Sequence, residues 1–414
     1  MWRDVSQAES HRPPERDIAI TAIDTMELRG NPHPEGGYYS WGIVKVETDA
    51  GYAGIGETFR GSEPVPLVDQ LAPLYVGQNP LDPRRLTENA NRHHAAAGGF
   101  GQAAITAIET ACWDIKGKVL DTPVYELLGG KFRDEVVVYS DTMDAAGEGE
   151  ETGTATDDQE FAVESFVRAA RDVVDQGFEV LKFDLDYPSP GEPPNDTAAR
   201  RLSNAEIREK AAMVEAVRDE VGPDIDLGMD VHWLLSVESA IRLGQALEPY
   251  DLAFYEDPVH PRKIDAQVRV RDKVDIPILT GENIVTPASF TTLLQESVMD
   301  IAAPDVAMAG GLGELVTIAS FCDAYGVPLA PHNLGSPVST VAGAHVGAAI
   351  PNFLSLEFRG GDTPWWNDLL VRTGGSGPVL ADGRIDLPEG PGLGVAFDHD
   401  VAPEYLKEGE EYLF

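Results

Sequence analysis

The sequence predicts an α/β protein in which a closed barrel of eight parallel strands follows a smaller α+β unit. The first observation is that short β-rich runs alternate with helical patterns from about residue 134 onward. Such alternation predicts parallel strands joined by right-handed crossovers. The second is the count of eight strand candidates, which favours a closed barrel over an open sheet. The third is the length of 414 residues, which exceeds a single core and favours one large and one smaller domain.

The first part of the chain divides into a leader and an α+β unit. Residues 1–17 are polar and charged, which indicates a flexible leader without the apolar stretch of a secretory signal. Residues 18–133 contain antiparallel strand patterns, up to about residue 60, and a helical pattern over residues 101–128. Because no run of about 18 apolar residues occurs, we expect a cytoplasmic protein that spans no membrane.

The barrel is predicted over residues 134–375 from eight strand patterns and the helices between them. The strand candidates are residues 135–141, 178–184, 224–230, 251–257, 276–282, 298–305, 326–332 and 352–358. Two helices have clear N-terminal signals: Ser203 and Glu206 form a capping box, and Thr286 precedes Pro287 at the first helical position. Residues 376–414 are rich in turns and lack a helical period, so we expect this C-terminal segment to pack back on the α+β unit.

The composition excludes several classes of partner. Asp and Glu total 70 against 31 Lys and Arg, and the net charge of −39 argues against binding to nucleic acid or to an anionic membrane. Only nine residues are Lys, and the acids are dispersed with one local concentration at residues 147–160, which suggests the solvated surface of a halophile's protein. Cys112 and Cys322 lie in apolar helical patterns and predict buried free thiols.

Three successive barrel strands end in a carboxylate. Asp230, Glu256 and Glu282 follow one another at intervals of 26 and 26 residues, one βα unit each. In a barrel the carboxyl ends of neighbouring strands converge on one face, where such enzymes build their sites. Carboxylates without a nearby Cys form a hard oxygen site that suits Mg²⁺. A single acid at a strand end is equally consistent with a solvated terminus, so the metal interpretation depends on the equal spacing of all three.

The next three strand ends carry further ionisable residues. Asp305, His332 and Glu357 follow at intervals of 23, 27 and 25 residues. A carboxylate beside an imidazole fixes its tautomer and raises its basicity, so Asp305 and His332 are candidates for a general base. His232 lies two residues after Asp230 and is expected to project into the same mouth, where a second imidazole suits a general acid. Each histidine taken singly is also consistent with a structural role.

Ordered motifs along nearly the whole chain show a resemblance to a known family. The segment ACWDIKGKVLDTPVYELLGG ends the α+β unit, YEDP and TGEN contain two of the strand-end acids, and GPGLGVAFD lies in the C-terminal segment. In these motifs the chain resembles the enolase superfamily, in its mandelate racemase-like branch. The resemblance implies a modified TIM barrel, (β/α)7β, with an N-terminal α+β capping domain that is completed by the C-terminal segment.

The resemblance also implies roles for the strand-end residues. The three Mg²⁺ ligands of the family correspond to Asp230, Glu256 and Glu282. The family's His–Asp dyad corresponds to His332 and Asp305, and a Glu that hydrogen-bonds the substrate carboxylate corresponds to Glu357. Members are frequently homo-oligomers, which implies the same for this chain.

One departure from the family separates two reactions. Many members have Lys-x-Lys at the end of the second barrel strand, where the second Lys is a base that faces the dyad. Here Lys182 is present and Asp184 takes the place of that second Lys, which counts against racemisation. His232 resembles the general acid of the family's sugar-acid dehydratases, a His two residues after the first metal ligand that protonates the departing hydroxyl.

We therefore expect a Mg²⁺-dependent dehydratase that converts an aldonate, such as D-gluconate, D-xylonate or D-galactonate, to the 2-keto-3-deoxy acid. His332 would remove the C2 proton, His232 would protonate the C3 hydroxyl, and Lys182 would help to stabilise the enediolate. Asp184, and Tyr38 in the loop of residues 30–41, are further candidates for binding the sugar acid. Two alternatives remain open: a racemase or epimerase with Lys182 as second base, and a barrel that binds its ligand without catalysis.

Overall fold

The structure, a computed structural model, describes residues 17–32, 37–93, 98–141, 163–186, 200–361 and 363–414. The expected leader, apart from Asp17, and the acidic concentration at residues 147–160 lie outside the described residues. Residues 33–36 of the predicted loop of residues 30–41 also lie outside them, whereas residues 30–32 and 38–41 belong to two strands, so the loop prediction is wrong for these residues. No helix within the described ranges is long and apolar enough to cross a membrane.

The N-terminal unit is a three-stranded antiparallel sheet with helices. Its strands, in sheet order, are β1 (Ile20–Pro32), β2 (Tyr38–Thr48) and β3 (Ala53–Glu57). Its helices are α1 (Val65–Tyr75), α2 (Pro83–Ala90), α3 (Gly99–Leu120) and α4 (Val124–Leu128). The helical pattern over residues 101–128 is thus interrupted, because Asp121 adopts a left-handed conformation (φ 51°) that ends α3.

Strand β3 packs directly on α3 because it carries glycine at two alternate positions. A Cβ atom on Gly56 would lie 1.9 Å from the carbonyl oxygen of Ala107, and one on Gly54 would lie 2.1 Å from that of Ala111. No side chain fits into that space, so the backbones of strand and helix are in contact. This contact fixes the end of β3, where Glu57 reaches the barrel.

The second unit is a barrel of parallel strands. In chain order these are β4 (Glu135–Asp141), β5 (Val180–Asp184), β6 (Asp226–Asp230), β7 (Phe254–Glu256), β8 (Ile278–Thr280), β9 (Ile301–Ala302) and β10 (Leu356–Phe358). They pair in parallel in the order β10-β4-β5-β6-β7-β8-β9. The predicted α/β fold is confirmed.

One predicted barrel strand, over residues 326–332, is present only as single bridges. Leu329 bridges to Ala302 and to Phe353, both in parallel, and these bridges close the barrel between β9 and β10. The segment forms no longer ladder because Pro328 and Pro331 on either side lack the backbone N–H that a strand donates.

Helices in the described ranges follow the barrel strands. They are α5 (Val163–Asp175), α6 (Asn204–Val221), α7 (Val237–Leu247), α8 (Ile264–Arg271), α9 (Pro287–Gln295), α10 (Leu312–Ala324) and α11 (Pro337–Ala349). Both predicted N-terminal signals are confirmed. Ser203 and Glu206 satisfy each other's backbone N–H groups at the start of α6, and the Thr286 side chain accepts the N–H of Ser289 in α9.

The C-terminal segment joins the two units. It contains β12 (Arg384–Asp386) and β13 (Val395–Phe397), and β13 pairs antiparallel with β11 (Leu370–Arg372), which directly precedes the segment. Strand β12 pairs with β4 of the barrel, while the backbone of Gly392 donates to Thr122 and accepts from Val124 in the N-terminal unit.

The two cysteines, Cys112 and Cys322, are buried free thiols, as predicted.

His345 in α11 links the barrel to both other parts of the chain. Its Nδ1 accepts the backbone N–H of Tyr125 (3.2 Å), and its Nε2 donates to the carbonyl oxygen of Leu393 (3.1 Å). The ring is fully buried, and burial lowers the pKa of His345 to about 4. Protonation would therefore charge a buried ring and remove the acceptor for Tyr125.

The folded protein is expected to lose stability through His345 as the pH falls from 6.5 to about 4. In that window the unfolded chain takes up a proton that the folded chain does not. The free energy of unfolding therefore falls by about 3 kcal/mol. His345→Gln lacks this titration, so the stability advantage of the wild type over the variant should shrink by about that amount between about pH 7.5 and pH 4. Denaturant unfolding of both proteins in molar salt measures it. A difference that is independent of pH would contradict the prediction.

Candidate active site

Acids at the ends of three neighbouring strands lie side by side. Asp184 at the end of β5 pairs in register with Asp230 at the end of β6, and Asp230 pairs with Glu256 at the end of β7. Parallel strands in register bring residues of the same position to the same height, so these side chains lie at one level of the carboxyl face. Asp230 and Glu256 are both buried there.

Lys182, two residues before the end of β5, lies in the middle of the site. Its Nζ is 3.2 Å from Asp230 Oδ2 and 3.0 Å from Glu256 Oε2. It is also 2.6 Å from Glu357 Oε1. Burial alone would lower the pKa of Lys182, but the three carboxylates raise it well above its ordinary value. The side chain is therefore a fixed ammonium, which suits binding of an anion and not removal of a proton.

The predicted dyad is present at the ends of the sixth and seventh barrel segments. His332 Nδ1 lies 2.5 Å from Asp305 Oδ2, and Asp305 Oδ1 accepts the backbone N–H of Ala307 (2.8 Å). His332 Nε2 is 3.0 Å from Glu282 Oε2 and 3.7 Å from Glu357 Oε2. Burial would lower the pKa of His332, but Glu282, Glu357 and Asp305 raise it to about 10. Because Asp305 occupies Nδ1, Nε2 is the atom left to exchange a proton with a ligand.

His232 turns back toward the same acids from a left-handed backbone. Its φ is 42°, and that of Trp233 is 53°. Its backbone N–H donates to Asp230 Oδ1 (2.8 Å). Its ring Nδ1 lies 3.2 Å from Asp186 Oδ2, and Nε2 lies 3.8 Å from Asp230 Oδ2. Burial would lower the pKa of His232, but Asp230, Asp186 and Asp184 raise it well above its ordinary value, so the ring is a proton donor.

Within the described residues, one group of potential metal-ligating side chains has its ligand atoms within 4.8 Å of one another. It consists of Asp184, Asp230 and His232. Of the three ligands expected from the resemblance, Asp230 belongs to this group, whereas Glu256 contacts Lys182 and Glu282 contacts His332. A cation shared by Asp230, Glu256 and Glu282 therefore stays a prediction.

The donor set fits a hard divalent cation. Glu256 is fully buried, and its Oε1 has no hydrogen-bond partner among the residues that the structure describes. Burial raises the pKa of Glu256 well above its ordinary value, and Asp230, Glu357 and Glu282 raise it further, while the charge of Lys182 opposes this. A buried carboxylate oxygen without a partner is unfavourable. Oxygen ligands of this kind are those that Mg²⁺ prefers, so the residues present fit the ion.

Two further acids lie in the site but were not among the predicted site residues, because that prediction compared only the ends of later strands. Asp186 continues the alternation that begins at Asp184, and it contacts His232. Asp141 ends β4 and is buried, with its Oδ2 3.9 Å from Arg359 Nη1. Burial raises the pKa of Asp141. Extending the comparison of strand ends to the first two barrel strands would have found both residues.

Tyr38, expected to bind the sugar acid, lies in the N-terminal unit at the start of β2. It is 36% exposed and lines a cavity of about 430 Å³ together with Phe59 and Arg60. The Arg60 guanidinium lies 4.3 Å from the centroid of the Tyr39 ring, and the Phe59 ring stacks on His332 with 6.5 Å between centroids. The cavity thus adjoins the dyad, and the role of Tyr38 in it stays a prediction.

Two family models match the chain. The mandelate racemase/muconate lactonizing enzyme N-terminal domain matches residues 38–129, and the enolase C-terminal domain-like model matches residues 165–401, more than half of the chain. The chain belongs to the mandelate racemase/muconate lactonizing enzyme family. This membership confirms the predicted branch of the enolase superfamily and the predicted fold, a modified TIM barrel with an N-terminal α+β unit.

Several members of the family are similar to this chain over most of its length. The D-xylonate dehydratase of Haloferax volcanii is 39% identical over 95% of this chain and 90% of its own length. The D-gluconate dehydratase of Thermoproteus tenax is 30% identical over 89% of this chain and 70% of its own. A crystal structure of a mandelate racemase/muconate lactonizing enzyme-like protein from Rubrobacter xylanophilus is 35% identical, with a TM-score of 0.86 and coverage of 95% of this chain and 99% of that one.

Proposed function

We propose that this member of the mandelate racemase/muconate lactonizing enzyme family is a Mg²⁺-dependent dehydratase that converts an aldonate to its 2-keto-3-deoxy acid. The relatives named as dehydratases make the protein a carbon–oxygen lyase of the hydro-lyase class. D-Xylonate is our first candidate substrate, because the D-xylonate dehydratase of Haloferax volcanii shares 39% identity over 95% of the chain. D-Gluconate and D-galactonate follow, as the substrates named for more distant relatives.

This proposal depends on one observation: a continuous series of side-chain contacts connects the imidazoles of His232 and His332. His232 Nε2 is 3.8 Å from Asp230, and Asp230 is 3.2 Å from Lys182. Lys182 is 2.6 Å from Glu357, and Glu357 is 3.7 Å from His332 Nε2. A base at one end and an acid at the other suit the removal of water across two adjacent carbons.

His332 acts as a base only in its neutral form: the proton that Glu282, Glu357 and Asp305 favour on the ring must leave Nε2 before this atom takes the C2 proton. A proton beside a carboxylate is very weakly acidic, because its removal leaves a dianionic enediolate. The fixed ammonium of Lys182 stabilises this charge where it develops, and Asp305 stabilises the imidazolium that His332 becomes. Burial would raise the pKa of Glu357, but Lys182 and His332 lower it. A hydrogen bond from Glu357 to the substrate carboxylate therefore requires that Glu357 takes up a proton on binding.

His232 protonates the leaving hydroxyl. Hydroxide is a poor leaving group, so cleavage of the C3–O bond needs an acid. Asp186 holds Nδ1 of the ring, which leaves Nε2 to give its proton to the C3 oxygen. The C3–O bond breaks as the C2–C3 double bond forms, water leaves, and the enol tautomerises to the 2-keto-3-deoxy acid.

Asp230, Glu256 and Glu282 would hold the metal ion. Bound Mg²⁺ supplies Lewis-acid stabilisation of the substrate carboxylate as negative charge develops on it. The partnerless Oε1 of Glu256 supports this assignment, because a buried carboxylate oxygen surrounded by other acids is stabilised by a cation.

A racemase of the same family would need Lys182 as its second base. Its ammonium is within 3.2 Å of three carboxylates, which hold the proton on it. Asp184 stands where many relatives have a second Lys, so this position offers no Lys as a base. We therefore favour dehydration over racemisation.

Incubation of the protein with aldonates and Mg²⁺ in D₂O and molar salt tests the proposal. We expect 2-keto acid to accumulate, fastest from D-xylonate, with water as the second product. Recovery of the inverted stereoisomer without keto acid would instead establish a racemase or epimerase. Aldonates that bind but keep both C2–H and C3–OH would indicate a barrel that binds its ligand without catalysis.

Mg²⁺ is expected to stabilise the folded protein through Glu256. At about 100 times its Kd, an ion that binds only the folded state raises the free energy of unfolding by about 2.7 kcal/mol. Glu256→Gln should lose most of this gain, because an amide oxygen lacks the charge that attracts the ion. Thermal unfolding at constant ionic strength measures the gain without any substrate. Glu296→Gln, which neutralises an exposed acid, is the control, and a full gain in the Glu256 variant would refute the assignment.

A further inference from the structure

Glu57, at the end of β3, caps a helix of the barrel from the N-terminal unit. Its Oε1 accepts the backbone N–H of Ser336 (2.7 Å). Its Oε2 accepts the backbone N–H of Ser339 (2.9 Å) and the hydroxyl of Ser336 (2.5 Å). The first N–H groups of α11 have no partner within the helix, and the positive end of the helix favours an acid. Glu57 is only 3% exposed, so these hydrogen bonds are shielded from water.

The start of α11 is linked in turn to the residue next to His332. The Ser339 hydroxyl donates to Asn333 Oδ1 (3.0 Å). The Asn333 backbone N–H donates to Glu357 Oε2 (3.0 Å), and its side-chain amide donates to the Glu357 carbonyl oxygen (3.1 Å). A continuous set of buried hydrogen bonds therefore runs from Glu57 to the peptide that carries His332.

A second contact from the same strand end reaches the ring of His332. Phe59 lies two residues after Glu57, and its ring is stacked on that of His332 with an interplanar angle of 24°. Because Glu57 is bound to the barrel helix, it also fixes where Phe59 lies. The N-terminal unit thus holds the loop of residues 332–336 both at the His332 ring and at the helix that follows the loop.

We infer that Glu57 is a positioning residue for His332: by anchoring the loop of residues 332–336 it aligns the imidazole with Asp305 and the substrate. The alignment of the base is then a consequence of the docking of the N-terminal unit on the barrel. The inference rests on the proposed role of His332 as the general base, and its first test below needs no substrate.

Glu109 provides a matched comparison from the same unit. It lies in α3 and accepts the backbone N–H groups of Leu312 (2.8 Å) and Gly313 (3.2 Å) at the start of α10. It also accepts the indole N–H of Trp113 (2.6 Å). Glu109 is therefore a buried acid that caps a barrel helix, as Glu57 does, but within the described residues its hydrogen bonds do not reach the loop of residues 332–336.

Hydrogen exchange of the full-length protein tests the positioning without substrate. In Glu57→Gln the side-chain NH₂ group faces a backbone N–H, so at least one buried acceptor is lost. We expect residues 332–340 to exchange about tenfold faster than in the wild type. Glu109→Gln should leave that segment at the wild-type rate and speed exchange at the start of α10. Unchanged protection of residues 332–340 in Glu57→Gln would overturn the inference, whatever reaction the protein catalyses.

Turnover of the aldonate tests the consequence for the base. A displaced base should lower kcat of Glu57→Gln by about tenfold to a hundredfold with KM changed by less than about twofold. Glu109→Gln should keep the wild-type kcat and KM. A rise in KM that matches the fall in kcat would mean a merely structural role for Glu57.

Ser339→Ala keeps the inference testable if Glu57→Gln does not fold. It removes the hydrogen bond to Asn333 and keeps the backbone N–H that Glu57 accepts. We expect smaller changes of the same sign in exchange and kcat, and wild-type behaviour in both would overturn the inference. If the wild type dehydrates no aldonate, the proposed function fails, while the exchange result still decides whether Glu57 positions the loop.

Discussion

The His332→Asn variant is expected to lose about 10³-fold in kcat and, with it, the exchange of the substrate C2 proton in D₂O. Asn is close to His in size and can still donate to Asp305, so the fold of the site is kept. It has no nitrogen that takes up a proton, and the enediolate cannot form. Keto-acid release and NMR of the C2 position measure the two losses separately.

His260→Asn is the matched control for this prediction. His260 lies on the surface, so the same replacement there should leave both rates unchanged. C2–H exchange that continues at the wild-type rate in His332→Asn would show that another group removes the proton. If the wild type and the variant both bind aldonates and neither forms keto acid or exchanges the C2 proton, the protein is the binding protein that the sequence leaves open.

The His232→Asn variant is expected to lose about 10²-fold to 10³-fold in dehydration while it continues to exchange the C2 proton. Without an acid at C3, the enediolate returns to substrate instead of losing water, and each return introduces deuterium from D₂O. Asn is the suitable replacement, because it tolerates the left-handed backbone of residue 232 (φ 42°). The ratio of exchange to keto-acid formation is therefore the diagnostic measurement.

A substrate that needs no acid separates this role from simple damage to the site. An aldonate with fluorine in place of the C3 hydroxyl loses fluoride without full protonation. The His232→Asn variant should therefore process it at nearly the wild-type rate. If the variant loses exchange and dehydration together, and the fluorinated substrate does not restore turnover, His232 does not act as the leaving-group acid.

The position of the site on one face of the barrel could be predicted from spacing alone. Acids and imidazoles recur every 23 to 27 residues, the length of one βα unit, so each returns to the same end of the barrel. The capping box of Ser203 and Glu206 and the cap at Thr286 were equally predictable, since they depend on residues three positions apart. The dyad of His332 and Asp305 followed from adjacent strand ends.

Other parts of the site could not be predicted from spacing. The seventh strand is reduced to bridges at Leu329, because prolines remove its donors. Asp141 and Asp186, by contrast, were predictable in the same way as Asp230, because Asp141 ends the first predicted strand and Asp186 follows the second by two residues. Spacing also did not indicate that Glu57 caps α11, since its partners Ser336 and Ser339 lie about 280 residues further along the chain.

By itself, the sequence determined the class of fold and the end of the barrel where ionisable side chains lie. It also determined the order of these side chains from one strand to the next. These features follow from periods and capping signals within one βα unit. Only the tertiary structure decided which of these groups lie close together: Lys182 among three carboxylates, and Asp184 within 4.8 Å of Asp230 and His232. Such contacts join distant segments, and their distances are set by how the barrel closes and how the N-terminal unit docks on it.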